Sequence, residues 1–344
     1  MVVFECAGCG AALTVPVTRV ALPEHAHRAY GNGVALPPLV EAGTYAVDPA
    51  PSGAPWRPWS GLEPGEAAAR GVFAPVHALS TGAPGAIVVA PGDTRGTVLI
   101  PTRLDGRCCG LDGRTGPNLA CADCGRVVAT RIDDCSLWQA TWLVPGAVRR
   151  TPTGTPAGPT PDWATVTRPV EPFEEDTARL EVEAGVALAH LLAASAGMPV
   201  TVPDGVVANS FGTVLEVLPP AGPAKVATLA GPGLPAQDTA DIVLVPRHPR
   251  TGRPWRPPGA ATAVPVAAGL WTTLAFHPGP LIPATGGLPR EFLRDDPPPT
   301  REWRWVRPYP DALLHTLARL PAVREPWLRA VYDDLWNSRY PSLI

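Results

Sequence analysis

The chain has 344 residues, 45% of them hydrophobic and 17% charged, with a formal net charge of -3. This is the composition of a folded protein long enough for two domains with their own cores, and its slight acidity argues against general nucleic-acid binding, which needs a positive surface. Pro (46) and Gly (34) are so abundant that long uninterrupted helices are excluded over much of the length, leaving short strands and loops.

The first half reads as strands punctuated by turns. Residues 12–20 (ALTVPVTRV), 43–49 (GTYAVDP), 85–91 (GAIVVAP), 96–101 (GTVLIP) and 126–132 (RVVATRI) are rich in Val, Ile and Thr and bounded by Gly or Pro. Residues 151–163 (TPTGTPAGPTPDW) have the composition of a semi-stiff linker or long loop. The expected organisation is a β-rich metal-binding domain over 1–150, a linker over 151–170 and a mixed domain over 171–344.

In the second half, Leu180, Val182, Val186, Leu188, Leu191 and Leu192 recur at helical spacing and predict a buried helix over 178–196. Phe173–Asp176 reads as its acidic approach, suited to a helix N-terminus. Residues 241–246 (DIVLVP) predict a buried strand, and 268–276 (AGLWTTLAF) fit either helix or strand. Near the end, Asp311 is the expected N-cap of a helix carrying Leu313, Leu314, Leu317 and Leu320, closed by Pro321. A second helix is expected from Pro326, with Trp327, Leu328, Val331, Leu335 and Trp336 on its buried face and the neighbouring Asp333 and Asp334 diverging into solvent. The overall expectation is an α+β fold, β-rich first and ending in a helical hairpin.

All seven cysteines lie between positions 6 and 135. Cys6 and Cys9, then Cys121 and Cys124, form two Cys-x-x-Cys-Gly segments, with Gly10 and Gly125 placed to leave a tight turn at positive φ and a strand-like run after each. Such a turn offers a metal two sulfurs, and two facing turns would close a tetrahedral set of four thiolates. A local alternative uses Cys109, Cys121, Cys124 and Cys135, with Cys108 adjacent. Over about 10 to 15 residues at each turn, the pattern resembles the zinc-ribbon, or rubredoxin-like knuckle, family. The resemblance implies a structural Zn2+ between two β-hairpins, although more than a hundred residues separate the two turns here.

Elsewhere the signals are weaker. Glu24, His25 and His27 (EHAHR) could complete a metal site but read first as exposed loop residues. Two segments, 52–59 (SGAPWRPW) and 251–258 (TGRPWRPP), share Pro-Trp-Arg-Pro, and each predicts a loop whose Trp56 or Trp255 enters the core while its Arg meets solvent or a carboxylate. Trp303, Arg304 and Trp305 interleave aromatic and basic residues, which fits a half-buried strand or a stacking surface for a base or peptide. No His-Glu-x-x-His, nucleophile elbow, phosphate loop or dinucleotide fingerprint is present.

The start MVVFEC has no basic segment leading into an apolar core, and the longest apolar run, 185–198, contains His190 and stops at Pro199, too short for a membrane span. The expectation is a cytoplasmic protein with reduced thiols, where clustered cysteines point to metal before disulfides. Four thiolates leave a metal no open position, so a non-catalytic interaction or regulatory role with a protein partner is expected. Two alternatives are an enzyme, with its site between the halves or a reactive cysteine among Cys108, Cys109 and Cys135, and a nucleic-acid module built on Trp303, Arg304 and Trp305. Oligomeric state stays open.

Overall fold

The computed structural model describes residues 1–104, 106, 108–168, 177–235, 239–276 and 306–337. The N-terminal half contains β1 (Val2–Cys6), β2 (Thr18–Arg19), β3 (Thr44–Val47), β4 (Trp56–Pro58), the single-turn α1 (Glu66–Ala69), β5 (Ala78–Ser80), β6 (Ile87–Val89), β7 (Thr97–Leu99), β8 (Leu119–Cys121), β9 (Val127–Ile132), β10 (Ala140–Leu143) and β11 (Val148–Pro152). Seven strands make one sheet in the order β2-β3-β6-β10-β9-β8-β7, antiparallel apart from β2 with β3. A separate ribbon pairs β1 with β11, Cys6 opposite Val148.

Residues 12–17 run extended but form only isolated bridges, such as Glu5 with Ala12 and Thr14 with Thr94. Pro16 brings no N–H to a ladder, so the expected long strand survives only as β2. The ribbon and the sheet share one core of Phe4, Leu13, Tyr45, Val89, Leu119 and Leu143, into which Cys6 and Cys121 are also built.

The C-terminal half contains α2 (Trp163–Val166), α3 (Thr177–Ser195), β12 (Val200–Thr201), α4 (Thr213–Val217), β13 (Lys225–Leu229), β14 (Ile242–Arg247), β15 (Thr262–Ala267), α5 (Ala268–Phe276), α6 (Pro310–Leu317) and α7 (Pro326–Asn337). Strands β12 to β15 form a parallel sheet in sequence order. Residues 242–246 are buried throughout, the continuous apolar run of a strand covered on both faces. The ambiguous segment 268–276 is a helix: α5 leaves β15 directly and sinks Trp271, whose Nε1 donates to the Leu244 carbonyl at 3.1 Å.

Helix α6 begins two residues earlier than expected, with Tyr309 at the N-cap and Asp311 in the first turn. Pro310 takes the first helical position, where a missing N–H costs nothing. Within α3, Gly185 lies under α6: a Cβ there would stand 2.5 Å from the Tyr309 carbonyl oxygen and 2.9 Å from Ala312 Cβ. Glycine is weak in a helix interior, and here it permits close helix contact. Helix α7 buries Leu328, Val331, Tyr332 and Leu335, and Asp333 pairs with Arg329 one turn away.

Two cores draw on both sides of the 151–163 segment. One packs Leu36, Leu39, Val88 and Trp138 against Val182 and Val186 of α3. The other places Val72, Val76 and Leu79 among residues of the parallel sheet and the terminal helices. Trp56 departs from expectation: it is 48% exposed, because β4 pairs only with β5 and nothing covers its outer face among the described residues. Its neighbour Arg57 does meet a carboxylate, that of Glu66 at 2.9 Å, and Trp255 is half-buried. No helix among the described residues is long and apolar enough to cross a membrane.

Candidate metal centre

The two Cys-x-x-Cys turns have the same backbone. Cys6 ends β1; its N–H donates to the Ala11 carbonyl at 2.8 Å, and its own carbonyl accepts from Gly10 N–H at 2.9 Å. Cys121 ends β8; its N–H donates to Arg126 at 2.8 Å, and its carbonyl accepts from Gly125 N–H at 2.9 Å. Gly10 and Gly125 have φ of 81° and 73°, the left-handed conformation inferred from the sequence. In each turn the first sulfur faces the core and the second stands at the surface.

The turns face each other. Cys6 Sγ lies 3.6 Å from Cys124 Sγ, and Cys9 Sγ lies 3.6 Å from Cys121 Sγ. All four sulfurs are within 4.8 Å of one another. Tetrahedral zinc with bonds of about 2.3 Å holds its sulfurs about 3.8 Å apart, so the spacing fits such an ion. Gly8 N–H points at Cys6 Sγ at 3.4 Å, and a Cβ on Gly8 would stand 3.4 Å from Cys124 Sγ, so glycine lets the first turn approach the second.

The thiols do not ionise alike. Burial works against the Cys6 thiolate, but the N–H groups of Cys9 and Gly8 and the Cys124 and Cys121 thiols outweigh it and bring Cys6 down to about 7. At Cys9 the Ala11 N–H favours the thiolate, yet burial and the other three sulfurs push it up to about 12. Cys124 is also raised, its Arg126 N–H being outweighed chiefly by Cys6. Four thiolates this close would repel one another, a repulsion that a cation among them would relieve.

The other three cysteines gather separately, so the quartet Cys109, Cys121, Cys124 and Cys135 is not brought together. Cys108, Cys109, Cys135 and Asp134 offer ligand atoms within 4.8 Å of one another. Asp134 is buried: its Oδ2 accepts from Cys108 N–H at 3.0 Å, and its Oδ1 accepts from Cys109 N–H at 2.9 Å and the Cys109 thiol at 3.2 Å. Cys135 N–H donates to Cys109 Sγ at 3.2 Å. That N–H favours the Cys109 thiolate, but Asp134 and the Cys135 sulfur prevail and raise the thiol. Cys135 is raised mainly by Cys108. The role of Asp134 was missed in the sequence, although its position beside Cys135 in IDDC was a usable signal.

Of the two loop histidines, His27 is exposed as expected and His25 is not. His25 is buried, its Nδ1 3.3 Å from Glu183 Oε1 and its ring against Trp138, and His27 Nε2 lies 2.6 Å from Asp48. The segment is a turn, which sends the two rings to different partners. Close by, Arg28 Nη1 stands 3.0 Å from His315 Nε2, and Arg319 Nη1 stands 2.9 Å from His315 Nδ1. Burial, then Arg28 and Arg319, hold the His315 imidazole well below its usual range, hence neutral. A neutral ring accepts on one nitrogen only, so it cannot satisfy both guanidiniums. Arg28 Nε is also shielded and without a hydrogen-bond partner among the described residues.

Trp303, Arg304 and Trp305, with Phe173–Asp176, lie outside the described residues. No family model, curated protein or solved structure matches this chain. The metal assignment therefore stands on side-chain geometry.

Proposed function

We propose that this chain is a zinc-stabilised protein of interaction or regulatory function, with Cys6, Cys9, Cys121 and Cys124 holding one structural Zn2+ in a zinc-ribbon-like centre. One observation carries the reading: two backbone-equivalent turns, over a hundred residues apart in sequence, set four sulfurs at tetrahedral spacing. Four thiolates close the coordination sphere, so the ion fastens the β1–β11 ribbon to the β8–β9 hairpin and activates no substrate. Seven unpaired cysteines suit a reducing compartment such as the cytoplasm. The interaction role is supported by β7, the outer strand of the large sheet, where Val98 is 49% and Leu99 45% exposed. An open apolar edge suits a partner segment that adds as a strand.

The test is metal analysis by mass spectrometry on protein purified without added metal, beside a Cys6→Ser/Cys9→Ser variant. Zinc at this centre, lost in the variant together with cooperative unfolding of the β-rich half, supports the reading. A metal-free wild type that unfolds cooperatively and ignores added zinc removes it. For the partner role, species captured by wild type and lost with Val98→Asp/Leu99→Asp support the edge; identical captures exclude it.

We infer as the alternative an enzyme with its site between the halves, supported by Arg28 and Arg319 converging on His315. Neither guanidinium has a carboxylate at ion-pair distance among the described residues. Partly buried positive charge of this kind suits a small oxyanion. Inorganic phosphate that raises the melting temperature of wild type, but not of Arg28→Ala, favours this alternative; equal response in both discards it.

A further inference from the structure

We propose that Cys108, Cys109, Cys135 and Asp134 form a second metal site, for an exchangeable thiophilic divalent cation of the zinc class. This goes beyond the structural centre and does not depend on it. Three sulfurs and a carboxylate oxygen within 4.8 Å of one another supply a complete four-ligand set. Three thiolates select a borderline-soft ion over magnesium or calcium, which take oxygen ligands.

The surroundings are those of an organised site. Asp134 is 3% exposed, and through its two oxygens it fixes the N–H groups of both adjacent cysteines. Asp133 adds a second tether, its Oδ1 accepting from Leu111 N–H at 2.8 Å, while the N–H groups of Asp133 and Asp134 both reach the Leu111 carbonyl, at 2.9 and 3.1 Å. The end of β9 thereby holds the cysteine loop in place. The Cys135 N–H directed at Cys109 Sγ is the kind of hydrogen bond that stabilises a metal-bound thiolate.

Exchangeability follows from exposure and from the fourth ligand. Cys108 and Cys109 are exposed and Cys135 is half-buried, whereas the structural centre keeps two of its sulfurs in the core. An oxygen ligand is the weakest partner a soft ion has in this set, so exchange begins there. The site belongs to the class that receives or releases an ion while the fold stays intact.

The test is titration of reduced, metal-free full-length protein with Co2+, whose thiolate charge-transfer bands report binding, followed by zinc competition and cysteine alkylation mapped by peptide. Wild type is expected to bind two equivalents, the second exchanging faster with a chromophoric chelator. Cys108→Ser/Cys135→Ser should bind one equivalent with its melting temperature kept. Asp134→Asn, should the double variant misfold, is expected to weaken the second equivalent about tenfold or more and leave the first. A single equivalent in wild type, with Cys108, Cys109 and Cys135 alkylated equally fast with and without metal, overturns the proposal. Loss of the first equivalent alone would refute the structural centre and leave this one standing.

Discussion

Cys6 and Cys121 end strands and are 0% and 1% exposed, whereas Cys108 and Cys109 sit side by side in a loop at the surface. In the first group each pair of sulfurs is set by a turn that needs only its own Cys, its own Gly and the strand before it. Pairing the turns is then a task for the sheet core that surrounds Cys6 and Cys121. In the second group no local turn sets the spacing; a buried carboxylate from the end of β9 does so instead. An ion in the first group joins elements distant in sequence, and an ion in the second joins a loop to a strand end that Asp133 and Asp134 have already tied. The first should govern stability and the second should not.

The sharpest way to break this comparison is to remove the two surface sulfurs of the first group. Cys9 and Cys124 are exposed, so if they were ordinary thiols Cys9→Ser/Cys124→Ser would be neutral. As ligands their loss should be as damaging as loss of the buried pair, because structural zinc in small domains contributes apparent free energies of about 10–16 kcal/mol, comparable to the whole stability of a domain. Hydrogen exchange should show protection lost across β1, β11, β8 and β9. Unchanged protection would mean that sulfur proximity holds nothing together.

Next in size is a lesion far from either group. Trp271 is fully buried against β14, and a Cβ on Gly231 would stand 2.3 Å from its ring. Trp271→Ala should cost about 3–5 kcal/mol in chemical denaturation while both metal equivalents persist. Metal lost together with stability would show that the centres report global unfolding and carry no distinct local roles.

A smaller effect is expected at Asp134. Its carboxylate takes two backbone N–H groups and a thiol, and hydrogen bonds to a charged group contribute about 1.5–3 kcal/mol each. Asp134→Ala should cost at least about that much in denaturant unfolding of protein loaded at the first centre alone, and Cys108→Ser/Cys135→Ser should cost far less. Equal costs would mean that the thiols, and not the carboxylate, organise the loop.

The legible parts of the molecule were those whose cause lies within a few residues. The Cys-x-x-Cys-Gly turns, the apolar period of α3 and Pro326 at the start of α7 each carry their own explanation. Sheet order was not legible, since β1 pairs with β11 across most of the N-terminal half and no local pattern names that partner. Glu183 escaped for the same reason, since a carboxylate buried by distant neighbours looks like any surface acid in sequence, whereas Asp134 carried a usable sign in standing beside Cys135. Trp56 failed in the opposite sense, because burial was inferred from residue type while its short ribbon leaves it uncovered.

The smallest predicted effect tests the equivalence of the two turns. At Gly10 an added Cβ would meet only Arg149 Nη2, at 3.7 Å, and at Gly125 nothing within 4 Å. Space is available at both, so replacement by alanine costs only the strain of positive φ, about 1 kcal/mol at each site. Gly10→Ala and Gly125→Ala should therefore lower stability by matching amounts in denaturant titrations of the loaded protein, with one cobalt spectrum for the first centre in both. A marked difference would show that one turn carries the site and the other only completes it. Matching losses are what two equal halves of a single centre require.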